Sequence, residues 1–394
     1  MRLLTWLLMI WLGTICSFTL TPAQSNSPLE PTPTPTEPPG TLGPTFDAAT
    51  NPLTGLPLPE AAQSRPPVIV KVSNSPAIVR PQSGISLADI VYEHYTEVGI
   101  TRFSAIFLTH APERVGSIRS ARLIDYELAP MYGALLAFSG ASLGVDKRIY
   151  GTQHVINILC RTAADPEMCA RDVFNIGPVG DLPPSDFVDR AYKAAYIGPP
   201  IYTRDEELPI PHNLFVDLEL LWQRAARDGH TQRPPLEGMR FHPEPPDFPH
   251  TSGIYAEVRY LTTTVEWHYH PPTGRYYRST NGERHFDALT ETQISADNVL
   301  IVYAGHYLTD IVESGSGDNV HWSAQITLWP RGAGVLLRDG RAYEVEWRRG
   351  SRYELLTLWT RDGQPVPLKP GQTWVQVVRT PEQMEPPFER VVVG

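Results

Sequence analysis

The chain has 394 residues, 41% of them hydrophobic and 19% charged, a balance that builds a folded core despite 40 prolines. Its formal charge of −10, from 43 acidic and 33 basic residues without a basic run, argues against nucleic acid as a partner. At roughly 100–200 residues per domain, the length accommodates two domains once the termini are discounted.

Arg2 is followed by an apolar stretch over 3–20 and then by Thr21-Pro22-Ala23-Gln24. A positive start, an apolar middle and small residues before Ala23 read as a secretory signal over 1–23, either cleaved or kept as a signal anchor. Cys16 follows Gly13-Thr14-Ile15, without the Leu-type and small residues a lipid-attachment cysteine needs, so lipidation is not expected. Membrane association is assigned to this segment alone. Residues 24–50, with PLEPTPTPTEPPG, have almost nothing to bury and read as a semi-stiff disordered tether.

A first folded region spans 51–232. PVIVKVS (67–73), ADIVYEHY (88–95) and TRFSAIFL (101–108) are rich in β-branched and aromatic residues and predict strands. ARLIDYELAPMYG (121–133) has helical spacing that Pro130 and Gly133 end. ALLAFSG (134–140) predicts a buried strand and 143–159 a helix. NLFVDLELLWQRAARDG (213–229) predicts an amphipathic helix with Asn213 as its cap and Gly229 as its stop. Cys160 and Cys169 read as a structural disulfide in an oxidising compartment, with two free thiols as the alternative.

Residues 233–253 are dense in proline and glycine and mark a junction. From 254 to 394 the chain reads as short strands joined by hairpins, with turns at Pro271-Pro272-Thr273-Gly274, Asp339-Gly340 and Asp362-Gly363. The expected fold class is α+β: a mixed α/β N-terminal domain, then a smaller, mainly antiparallel β domain.

NPLTGL (51–56), RPQSGISLADIVYE (80–93), GITRFSAIF (99–107), VGSIRSAR (115–122) and PHNLF (211–215) resemble the YerB-like family of bacterial envelope proteins, a pair of domains of unknown function. DNVLIVY (297–303), DGRAYEVEW (339–347) and PGQTWVQVV (370–378) extend the resemblance into the second region. It implies an envelope location and a two-domain layout, and no activity. The N-terminus departs from the family's lipoprotein pattern.

The residues best placed for chemistry are Glu93, Glu97, Arg102, Arg119 and Arg122. Guanidinium groups grip phosphate or carboxylate in a planar fork, and a helix N-terminus adds backbone donors. Arg119 and Arg122 share a face if the helix starts early. The expectation is a cleft lined by these residues with His212 and Asn213, taking an anionic glycan, a phosphate-bearing envelope ligand or an envelope protein. The competing use of the same residues is a structural salt-bridge network.

Two enzymatic alternatives stand beside it. Asp89 and Arg119 resemble positions of the LytR-CpsA-Psr phosphotransferases, although Ser120 stands where that family has an acid; only this alternative calls for a cofactor, a divalent cation. Gly140-Ala141-Ser142-Leu143-Gly144 fits a nucleophile-turn pattern, with His212 as base and Asp172 or Asp189 as orienting acid. His268 and His270 point to one strand face with His285 as the candidate third ligand, but a solvated face is the simpler reading, and no metal site is assigned. Trp267, Tyr269, Tyr276, Tyr277, Trp347, Trp359 and Trp374 suit sugar rings or partners, and more simply a small β core.

Overall fold

The computed structural model describes residues 46–162, 182–316 and 319–394. Strands β1 (Val68–Ser73), β2 (Ile90–Tyr95) and β3 (Thr101–Phe107) are buried at every position. Their apolar residues lie on both faces and demand cover on both, and the polar residues among them, Lys71, Glu93, His94 and Arg102, are buried with partners. β3 lies between β2 and β1 and is antiparallel to both. β1 then pairs parallel with Leu135–Phe138, and that strand with Ala191–Lys193.

On the other side β2 pairs parallel with Thr373–Arg379, and Thr373–Arg379 with Asn298–Ser316. From there Arg331–Arg338, Arg341–Arg348 and Thr357–Trp359 continue the sheet antiparallel. One twelve-stranded sheet therefore runs through both sequence regions. The stretch 233–253 divides the sequence without dividing the sheet.

Ile69, Ile90, Tyr92 and Ile106 face a core that includes Leu128 and Met131 of helix α1 (Asp125–Met131) and Val145 and Ile149 of helix α2 (Leu143–Tyr150). The opposite face, with Val70, Val91 and Phe103, packs on the helix Leu218–Arg227 and on a second, antiparallel sheet through Val258, Val265, Trp267 and Tyr276. In that sheet Tyr255–Arg259 alternates buried and partly exposed residues, as a strand covered on one face must. Trp267, Trp347 and Trp374 are fully buried, so these aromatics serve the core.

Several elements differ from expectation, each for a local reason. α1 begins at Asp125 rather than 121, because Ala121 N–H is tied to the Gly140 carbonyl at 2.8 Å and holds the chain extended. The helix expected over 143–159 is two, α2 and α3 (Thr152–Thr162), broken at Gly151 with φ 85°. Asn213 is not a cap: Leu214–Val216 is a strand paired on both sides, and the helix begins at Leu218 with the Asp217 carboxylate accepting Leu220 N–H at 2.9 Å. Its buried Leu218, Leu221, Trp222 and Ala225 follow helical spacing. The turns at Pro271–Gly274 and Asp339-Gly340 join paired strands, whereas Asp362-Gly363 leads from Thr357–Trp359 back only to an isolated bridge between Trp359 and Pro365. The Cys160–Cys169 pairing, Asp172, the N-terminal signal and residues 24–45 of the expected tether lie outside the described residues and side chains; its last five residues are instead structured, Phe46 packing on Phe241 and Thr50 bridging to Pro57.

Candidate functional site

The strand Leu135–Phe138 covers only the first half of β1. The chain Ser117–Arg122 fills the space beyond it. Ser73 N–H donates to Ser117 O at 2.9 Å, Arg119 N–H to Lys71 O at 2.9 Å and Ser139 N–H to Arg119 O at 3.0 Å. Arg119 and Arg122 thus project from an extended segment, not from the early helix their spacing suggested. Pairing across β2 and β3 sets His94 opposite Arg102 and Glu93 opposite Phe103. Since alternate strand residues face opposite ways, Arg102 joins Arg119 and Arg122 while Glu93 does not.

Glu97, on the turn after β2, accepts from Arg122 Nε at 2.7 Å and from Arg122 Nη2, and lies 3.5 Å from Arg102 Nη2. Burial works against its ionisation, but the Arg122 hydrogen bond and the charges of Arg122 and Arg102 outweigh it and take the carboxyl down to about 2. Arg102 also donates to Ser120 O at 3.0 Å, and burial with the like charge of Arg122 lowers it to about 9. A second carboxylate, Glu313 from the hairpin Asn298–Ser316/Asn319–Thr327, reaches to 3.4 Å of Arg122 Nε with its side chain 1% exposed. Burial raises its pKa, countered in part by Arg122.

Arg119 is different. Its one bond is a 3.5 Å contact from Nη1 to the Pro211 carbonyl, its Nε has no partner, and no carboxylate lies within ion-pair distance among the described residues. His212 stands next to it with Nδ1 unpartnered, and burial followed by the Arg119 charge keeps its pKa low. The partly exposed Ser139–Ser142 loop adjoins, with open space around Gly140.

Beneath this corner is a fully buried network on the same sheet face. Lys71 Nζ lies 2.9 Å from Asp125 Oδ1, 2.6 Å from Ser104 Oγ and 2.9 Å from His94 Nε2. Burial brings the Lys71 amine down to about 8. Spacing arguments pass over Lys71, His94, Ser104, Asp125 and Glu313. A lysine in the otherwise apolar run PVIVKVS was the one available signal, since such a residue needs a buried partner.

The other sequence candidates sit elsewhere. Glu93, on the far face, binds Arg278 at 2.8 Å, both side chains fully buried, and accepts from Asn74 and Thr101. Asn213 is held by Arg204 at 2.6 Å and bonds Asp205 O. Ser142 caps α2 with ordinary extended backbone (φ −64°, ψ 159°), accepting from Val145 N–H at 3.4 Å; it has no strained nucleophile turn. Asp189 pairs with Arg190 and His230, so no serine–histidine–acid set forms among the described residues.

Asp89, at the start of β2, spends its carboxylate on Asn51 (2.8 Å), Leu108 N–H (2.5 Å) and Thr109 (2.5 and 3.0 Å), which leaves it no part with Arg119. His268 and His270 are exposed on one face, but His285 is buried among Gln82 and Arg278, and the three do not converge. Several recognisable motifs are thus stitches between the two regions. Gln82 bonds His285, Glu93 bonds Arg278, and the N–H groups of Gly84 and Ser86 bind the Asp287 carboxylate at 2.9 and 2.7 Å.

The fold and site define an α+β protein of two interlocked sequence regions, with its charges organised around arginines. Residues 53–174 match the N-terminal domain, and residues 256–375 the C-terminal domain, described as "Protein of unknown function (DUF3048)", and the chain belongs to this family. It is 28% identical over 330 residues to the protein named "Putative lipoprotein YerB" of Bacillus subtilis (strain 168), covering 83% of this chain and 85% of that one. The crystal structure of YerB from Bacillus subtilis matches with a TM-score of 0.64 at 25% identity, over 87% of this chain and 99% of that one. The resemblance and the α+β class expected from the sequence both hold.

Proposed function

We propose that the chain is an extracytoplasmic, envelope-associated protein that binds an anionic envelope ligand at the corner formed by Arg119, His212 and the Ser139–Ser142 loop. The name of the Bacillus relative and the apolar stretch over 3–20 support the location. The observation that carries the binding reading is the unspent charge of Arg119. Arg122 is neutralised by Glu97 and Glu313 and Arg102 leans on Glu97, whereas Arg119 has an orphaned Nε beside a neutral histidine and an open loop. A partly buried guanidinium without a carboxylate is a ready fork for phosphate or carboxylate.

Arg102 and Arg122, paired with Glu97, hold the segment that carries Arg119, Arg102 through the Ser120 carbonyl. The test is calorimetric titration of the full-length chain with inorganic pyrophosphate at low ionic strength. Saturable binding that weakens with salt and falls at least tenfold in Arg119→Ala, with melting temperature unchanged, is expected. No binding by the wild type, or equal binding by the variant, would overturn the reading.

A further inference from the structure

A cleft of about 240 Å³ opens between the Glu97–Gly99 turn and the long hairpin, and no role above uses it. Its walls carry Trp322, Tyr307, Leu308 and Val98, which are 40, 58, 74 and 57% exposed. Large apolar side chains gathered at one concave place are unusual on a soluble surface. Glu97 belongs both to this wall and to the arginine cluster, so cleft and cluster are adjacent.

The cleft also has a polar floor. The His306 backbone is clamped from both sides by Gln383, which accepts from its N–H at 2.9 Å and donates to its carbonyl at 3.0 Å. His306 Nδ1 lies 2.9 Å from the Ala304 carbonyl, and a carbonyl only accepts, so Nδ1 carries the proton. Nε2 therefore offers a lone pair, is buried, and has no partner among the described residues. Burial holds the ring neutral, with a pKa of about 4. A fixed, desolvated acceptor of this kind costs stability unless a hydroxyl or N–H donor meets it.

Exposed indole and phenol faces beside a lone acceptor match a pyranose, whose C–H face stacks on aromatic rings while its hydroxyls donate at the edge. We infer that the cleft between Trp322, Tyr307 and His306 is a saccharide subsite, seating the sugar of a ligand whose charged group lies at Arg119. Only the charge of that ligand rests on the anion reading; the cleft stands on its own residues. A protein partner fits less well, because such interfaces need about 800 Å² per side and this surface is a narrow concavity.

The probe is N-acetylchitotetraose, which presents hydroxyl and acetamido groups without charge. It is titrated into the full-length chain, with tryptophan fluorescence as the readout. A saturable change is expected in the wild type and absent in Trp322→Ala. Tyr307→Ala and His306→Phe should each weaken the interaction at least fivefold. Both aromatics sit on an exposed hairpin, so Trp322→Ala and Tyr307→Ala should keep the wild-type melting temperature. No saturable change in the wild type, or the same change in Trp322→Ala, would overturn the subsite. Saccharide binding with no pyrophosphate binding would sink the anion reading alone, and the reverse would sink the saccharide subsite alone.

Discussion

Replacing Arg122 and Arg119 separately by alanine should split the arginine cluster into a structural member and a ligand-facing one. Arg122 bonds Glu97 through two nitrogens and faces Glu313, side chains that are 9, 10 and 1% exposed. Truncating it leaves Glu97 with Arg102 alone, at 3.5 Å, and Glu313 with no cation at ion-pair distance among the described residues. Glu97 lies at about 2 against an ordinary value of 4.5. At 1.36 kcal/mol per pKa unit, that difference is worth about 3 kcal/mol at neutral pH, in line with the cost of breaking a buried pair.

For the compact unit 41–394, a loss of this size lowers the melting temperature by roughly 4 °C. Arg119→Ala should shift it by less than about 1 °C, since surface changes away from such networks seldom exceed ±0.5 kcal/mol. Thermal melts against pH separate electrostatics from lost packing. A depressed carboxyl contributes stability that is present above its unfolded pKa and is lost as pH falls through the folded value. The gap between wild type and Arg122→Ala should therefore be full at pH 7 and narrow below about pH 5. A gap unchanged with pH, equal losses in the two variants, or an Arg122→Ala melt identical to wild type would refute the reasoning.

Acid should destabilise the fold beyond this one pair. Burial holds His94 and His285 well below their ordinary value and His306 at about 4, so each stays neutral when folded while its unfolded form takes up a proton near pH 6.5. Stability then falls as pH drops below about 6.5, by as much as about 4 kcal/mol per pH unit with all three engaged. A urea midpoint that stays flat from pH 7 to 5 would contradict it. Ser142→Ala should cost about 1 kcal/mol of helix capping, measured by denaturant melts, and a fluorophosphonate probe should leave wild-type Ser142 unlabelled. A labelled Ser142 would restore the hydrolase reading.

Much of the fold was legible because local chemistry decides it. The β-branched runs of β1–β3 form strands with ends within two residues of expectation. Asp339-Gly340 adopts positive φ at both positions, 53° and 72°, because a tight hairpin demands it. The set Glu97, Arg102, Arg119 and Arg122 does converge, since a short turn and one adjacent extended segment bring it together.

What lay beyond the sequence depends on strand order and side-chain parity. Glu93 and His94 are adjacent in the chain, yet the pleat sends one to Arg278 and the other to Lys71. Nothing local pairs Thr373–Arg379 with β2, or carries Glu313 to Arg122 from the second region. The residues by themselves thus determined most of the strands and the stock of cations. Only the tertiary structure decided which arginine of the cluster is left without a carboxylate among the described residues, because that depends on which distant acids the sheet delivers to the same face.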